Sequence, residues 1–147
     1  MLSKACRLVK PKFPVVRQYD QTDCGPAALL SVLRYHGGEA SLVTVRQLAN
    51  TGVRGTSMWS LHEAAESLGF EAEGARGSYA DLMDVSLPCI AHLSIEKSRP
   101  HFVVVYRITA RRVLVGDPAR GRTWVSKGSF CQRWKSQAVL LLTPTEY

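Results

Sequence analysis

The sequence predicts an α+β domain, with helices in its N-terminal half and an antiparallel sheet in its C-terminal half. Three observations carry that expectation. Apolar residues recur at helical spacing after Pro26, the pattern changes past Pro88 to short β-branched runs, and Gly or Pro stands at several of the joins. With 147 residues, 46% of them hydrophobic and 21% charged, the chain has material for one sizeable core. One domain over 1–147 is therefore expected, with 1–14, which holds Pro11 and Pro14, as an extended lead-in.

The elements follow in order. Pro26 suits a first helical turn, Ala27, Leu29, Leu30, Val32 and Leu33 supply an apolar face, and Gly37-Gly38 stops the pattern, so a helix is expected over 26–35. A second helix begins at Ser41 or Thr44 and runs to Ala49, and a third covers 57–68, capped by Ser57 and ended by Gly69. Ser78, with Asp81 three residues on, has the pattern of a capping box and opens a shorter helix. Strands are expected at 89–93, 101–108, 113–115, 122–125 and 139–143, most simply antiparallel, with a helical turn over 126–134 before the last. One long helix then packs against a curved sheet.

Several function classes fall away on composition. The longest apolar stretches, 102–106 and 138–142, are far below the roughly 18 residues a membrane helix needs. Lys4, Arg7 and Lys10 are followed by no apolar run of the secretory kind, so a cytosolic location is expected. Cys6, Cys24, Cys89 and Cys131 form no CxxC pair and have no His at zinc-finger spacing. They read as free thiols, Cys89 buried in a strand and Cys6 exposed, with no metal and no cofactor. The net charge of +7 favours acidic partners, but it is scattered and accompanied by no nucleic-acid motif, so no nucleic-acid partner is expected.

The segment Gln18-Tyr19-Asp20-Gln21-Thr22-Asp23-Cys24-Gly25-Pro26 carries the chemistry, because it delivers a cysteine to the start of a well-marked helix. The positive end of the helix dipole and the unpaired N–H groups of the first turn favour a thiolate there. Gly25 removes bulk beside the sulfur. The Cys24 N–H faces the place where an attacked carbonyl would become an oxyanion, and the Gln18 amide is a candidate second donor. A buried structural cysteine is the bland alternative, so the thiol needs a base to be more than that.

Among the four histidines, His36 ends the first helix, His62 lies inside the third, and His92 sits in a strand with no acidic residue near it in sequence. His101 opens the run Phe102-Val103-Val104-Val105-Tyr106, at the mouth of a buried strand. Asp117, in Val115-Gly116-Asp117-Pro118 on the next strand, is within hairpin reach of it and would hold its second ring nitrogen. Asp-Pro is also a common way to start a turn.

These motifs, over roughly 15–142, resemble the double-glycine-leader peptidase domain of bacteriocin processing. That domain is a papain-like cysteine peptidase usually found at the N-terminus of peptide-exporting ABC transporters. The resemblance rests on the block from Gln18 to Gly25 with Ala28-Leu29, on His101-Phe102-Val103-Val104, and on Asp117-Pro118 followed by Gly121. It implies a papain-like fold whose helical half carries Cys24 and whose antiparallel sheet carries His101 and Asp117. Cys24 would attack the carbonyl after a Gly-Gly pair, His101 would take and return the proton, Asp117 would orient the imidazole where papain uses Asn, and Gln18 would donate to the oxyanion. The implied partner is a precursor peptide with an amphipathic helical leader ending in Gly-Gly, docked in an apolar groove. Met58, Trp59, Leu61, Phe70 and Tyr79 are the groove candidates. The chain has no membrane segment and no GxxxxGK[ST] motif, so it is either a standalone peptidase or one domain of a transporter whose membrane and ATPase domains hold it at the cytosolic face. A noncatalytic leader-binding module and a papain-like acyltransferase remain open beside the peptidase.

Overall fold

The computed structural model describes residues 12–52, 55–95 and 99–145; Cys6 and the lead-in before Lys12 lie outside the described residues. In chain order the elements are helices α1 (Cys24–Tyr35), α2 (Leu42–Leu48) and α3 (Met58–Ser67), strand β1 (Phe70–Arg76) and the single turn α4 (Tyr79–Leu82). Strands β2 (Cys89–Ile95), β3 (Arg99–Ile108), β4 (Arg112–Asp117) and β5 (Gly121–Ser126), helix α5 (Lys127–Arg133) and strand β6 (Ala138–Pro144) complete the set. The six strands form one antiparallel sheet in the order β1-β6-β2-β3-β4-β5. No helix among the described residues is long and apolar enough to cross a membrane.

The expected helices all form. Ser41, Ser57, Ser78 and Ser126 cap α2, α3, α4 and α5 with their hydroxyls, and Asp81 closes the predicted capping box. Helix α1 is buried continuously from Cys24 to Leu33, as a helix apolar on nearly all sides must be. It ends where Gly37, at φ +89°, turns the chain so that Gly38 N–H reaches back to Leu33 O at 2.9 Å.

Strand β1 is the element that sequence reading did not anticipate. Its residues, Phe70-Glu71-Ala72-Glu73-Gly74-Ala75-Arg76, are poor strand formers, and their conformation is imposed by full pairing with β6, from Phe70 opposite Pro144 to Arg76 opposite Ala138. As an edge strand it exposes charge, which guards against further pairing.

Two cores sit on opposite faces of the sheet. Strand β3 alternates between them: Phe102, Val104 and Tyr106 pack with α1, α2 and α3, while Val103 and Val105 pack with Tyr79, Phe130 and Trp134. A register shift at Tyr106 re-aims its ring over Gly116, where an added Cβ would lie 2.8 Å from the ring. Its hydroxyl donates to Pro14 O and thereby pins the segment that precedes the site. That segment is packed rather than loose: Phe13 lies against Tyr35 and Tyr106, and Val16 N–H donates to Ser31 Oγ at 2.9 Å.

Candidate active site

Helix α1 begins at Cys24, a residue that is 7% exposed. The helix seats closely on β3 because residue 25 is glycine: a Cβ there would lie 3.3 Å from Thr56 Cβ and 3.4 Å from Phe102 Cδ2. That close approach sets the thiol beside the residue preceding Phe102, which is His101. The imidazole is buried and its Nε2 lies 2.7 Å from Asp117 Oδ1. With Nε2 committed to Asp117, Nδ1 is the ring nitrogen left for the thiol. Two halves of the chain thus meet at these three side chains.

The electrostatics favour a charged imidazole. Burial alone would push the His101 pKa down, but the hydrogen bond to Asp117, the Cys24 sulfur and the charge of both partners outweigh it and carry it up to about 9. Burial would likewise raise Asp117. The His101 hydrogen bond and charge, the Ala119 N–H at 2.8 Å and the Arg120 guanidinium instead hold its carboxyl below the usual range.

Gln18 stands at the same place. Its N–H donates to Pro118 O at 3.0 Å, which ties the segment before α1 to the turn after Asp117. Its side-chain Oε1 is buried and, among the described residues, has no hydrogen-bond partner. A half-turn of that amide presents Nε2 as a donor instead. The Asp23 side chain makes no cap bond to α1, so it does not occupy the first N–H groups of the helix. A cleft of about 240 Å³ opens here, reaching Gln18, His101 and Asp117.

Asp23 has a structural part at the site that its place in the sequence does not reveal. It is fully buried, and its Oδ2 accepts the N–H of Tyr19 at 3.2 Å and of Asp20 at 3.3 Å, the two residues that follow Gln18. Its Oδ1 lies 2.9 Å from Arg46 Nε of α2, an ion pair whose angle falls outside hydrogen-bond geometry. The carboxylate therefore braces the loop between Gln18 and Cys24 from inside. An acid directly before a helix reads as a cap, and only the fold reveals that it points backward.

The groove candidates separate. Leu61, Phe70 and Tyr79 are core residues, at 0%, 4% and 8% exposure, and cannot line a surface groove. Leu61 packs under Gly25, and Tyr79 lies on the opposite face of the sheet beside Phe130, its hydroxyl donating to Thr109 O at 2.7 Å. Trp59 is exposed and stacked on His62, with ring centroids 5.2 Å apart. Met58 borders an open furrow with Ala75, His92, Ala138 and Val139. The small residues of that furrow come together only through the pairing of β1 with β6, which is why no local pattern marks them.

A thiol at a helix N-terminus that faces an imidazole–carboxylate pair on an antiparallel sheet defines the papain-like class of cysteine peptidases. The chain belongs to the Peptidase C39 family, whose model matches residues 12–147. It is 35% identical over 134 residues to the pediocin PA-1 transport/processing ATP-binding protein PedD of Pediococcus acidilactici, an alignment that covers 88% of this chain and 18% of that protein. The lactococcin-G-processing and transport ATP-binding protein LagD of Lactococcus lactis is 30% identical over 135 residues, covering 90% of this chain and 19% of the relative. The chain thus spans about a fifth of the length of these relatives. Among solved structures, the peptidase domain of Streptococcus ComA, a bifunctional ABC transporter of a quorum-sensing pathway, superposes with a TM-score of 0.84 at 33% identity, covering 90% of this chain and 99% of that one. A double-glycine-motif protease from an AMS/PCAT transporter, solved with its leader peptide, gives 0.83 at 28% identity, covering 90% and 91%.

Proposed function

We propose that this domain is an endopeptidase that cuts the leader from a ribosomally made precursor peptide after Gly-Gly, on the cytosolic side of a peptide-exporting ABC transporter. The observation that carries this reading is the imidazole of His101, bonded to Asp117 at 2.7 Å and carried on the strand against which the helix beginning at Cys24 is seated. The relatives are named as transport and processing proteins, and one structural neighbour holds a leader peptide.

The steps follow from the atoms. The Cys24 thiolate attacks the carbonyl carbon of the second glycine, and the C=O electron pair moves to oxygen, where the Cys24 N–H and the Gln18 amide receive it. The oxyanion collapses, the C–N bond breaks, and the departing nitrogen takes its proton from the His101 imidazolium. The leader is left as a thioester. Water then attacks that carbonyl and gives its proton to His101, and the thiolate leaves with the bonding pair. Asp117 keeps the ring oriented throughout. Glycine on the acyl side suits a passage beside a deeply set thiol, because it adds no side chain to the backbone.

The test is incubation with synthetic precursors ending the leader in Gly-Gly or in Ala-Ala, with product masses recorded. Cleavage after Gly-Gly alone is expected, and Cys24→Ala should abolish it while melting within a few degrees of the wild type. Turnover retained in Cys24→Ala would overturn the assignment, and a leader that binds without being cut would favour a noncatalytic module.

A further inference from the structure

The cleft beside His101 has a composition that the cutting reaction does not require. Its floor is His101, Asp117 and Gln18, and its walls include Ile95 and Pro100 from β2 and β3 and Ala119 from the turn after β4. Two guanidinium-bearing residues close it, Arg120 from the same turn and Arg133 at the end of α5, both exposed. Among the described residues that line it, Asp117 is the only acidic one, and its Oδ1 is already engaged by His101 and the Ala119 N–H. A third arginine, Arg17, does not line the cleft but donates from Nη2 to Ala119 O at 3.0 Å.

The chemistry fixes which half of a substrate meets this cleft. With Nε2 bound to Asp117, the ring delivers its proton from Nδ1, and the nitrogen that accepts it must sit against the imidazole. The peptide continuing from that nitrogen leaves across the ring, away from the sulfur that retains the acyl half. Cys24 does not line the cleft, whereas His101 and the oxyanion amide do. A volume of about 240 Å³ suits one or two side chains rather than a folded segment.

We infer that this cleft receives the first two residues beyond the cut, and that Arg120 and Arg133 select an acidic side chain there. The inference rests on the peptidase reading and names a specificity that Gly-Gly recognition does not contain. Guanidinium suits the task, because its planar fork takes a carboxylate through two parallel hydrogen bonds and is shed from water more readily than an ammonium.

The experiment uses precursor peptides with one common leader and Gly-Gly, differing only in Glu, Gln or Lys at the first or second residue after the cut. The expected order of kcat/KM is Glu, then Gln, then Lys, with Glu over Lys by about tenfold at low salt and by less at about 0.5 M salt. In the pair of substitutions Arg120→Gln and Arg133→Glu that ratio should fall to one or invert. Because the ratio is taken within one enzyme, a uniform loss of activity does not enter it. Equal rates for all three peptides at both positions, or a ratio that the substitutions leave untouched, overturns the inference alone. A wild type that cuts none of the peptides overturns the peptidase reading and this subsite together.

Discussion

The helical half brings its thiol to the site through backbone local to Cys24, whereas the sheet half brings imidazole and carboxylate together from positions sixteen apart through the pairing of β3 with β4. The helix contributes a direction: unpaired N–H groups and a dipole that point at the reacting atoms. The sheet contributes a fixed distance. A helix terminus tolerates small shifts, but a 2.7 Å bond between two buried groups does not, so the two halves should respond differently to substitution.

The largest effect separating them should come from the sheet half. Asp117→Ala removes the acceptor that holds Nε2, and kcat should fall roughly 10²- to 10⁴-fold, the range a positioned general acid–base group contributes. The pH profile checks the cause. His101 is raised to about 9, so wild-type cleavage should decline as pH rises through that value and the imidazolium is lost. Without the carboxylate the imidazolium loses its proton sooner, and the alkaline limb should move to lower pH. An unmoved limb would break the link between Asp117 and the base.

On the helical side, Gln18→Ala should lower kcat by about 10²-fold, within the range for losing one oxyanion donor. The rate at which iodoacetamide alkylates Cys24 should stay the same, because alkylation develops no oxyanion. A parallel fall in both rates would move Gln18 from the oxyanion to the thiol. Asp23→Asn sharpens the same point: it keeps the shape but loses the ion pair to Arg46, and should lower kcat about tenfold with little change in KM. In a Gln18→Ala background it should add almost nothing, since the loop would hold no donor to misplace. Fully additive losses would show that Asp23 acts elsewhere. The smallest effect should be Trp59→Ala, raising KM for a full-length leader a few-fold and leaving kcat alone, as for an exposed aromatic contact. An unchanged KM would remove α3 from the leader's path.

The same division explains what could be read from the chain. Cys24, Gln18 and the helix they precede are marked by neighbouring residues, Gly25, Pro26 and the apolar run to Leu33, so local physics exposes them. His101 and Asp117 are legible because each ends a β-branched run, and a hairpin joins such ends. The role of Asp23 was not legible, because its partners are a backward-facing loop and Arg46 of another helix. Strand β1 was hidden because β6, not its own composition, makes it a strand. Leu61, Phe70 and Tyr79 are groove candidates in sequence and core in the fold, because apolar residues look alike until the sheet covers them.

The strap from Phe13 to Gln18 has a mechanical meaning. It is stitched to α1 at Ser31 and to the β4–β5 turn at Pro118 and Ala119, so it works as a buckle joining the two halves of the cleft. A pull on the chain ahead of Phe13 would reach the amide of Gln18 before it reached the sulfur. Loosening of that buckle would therefore release the Gln18 amide first and leave the sulfur, held at the head of α1, in place.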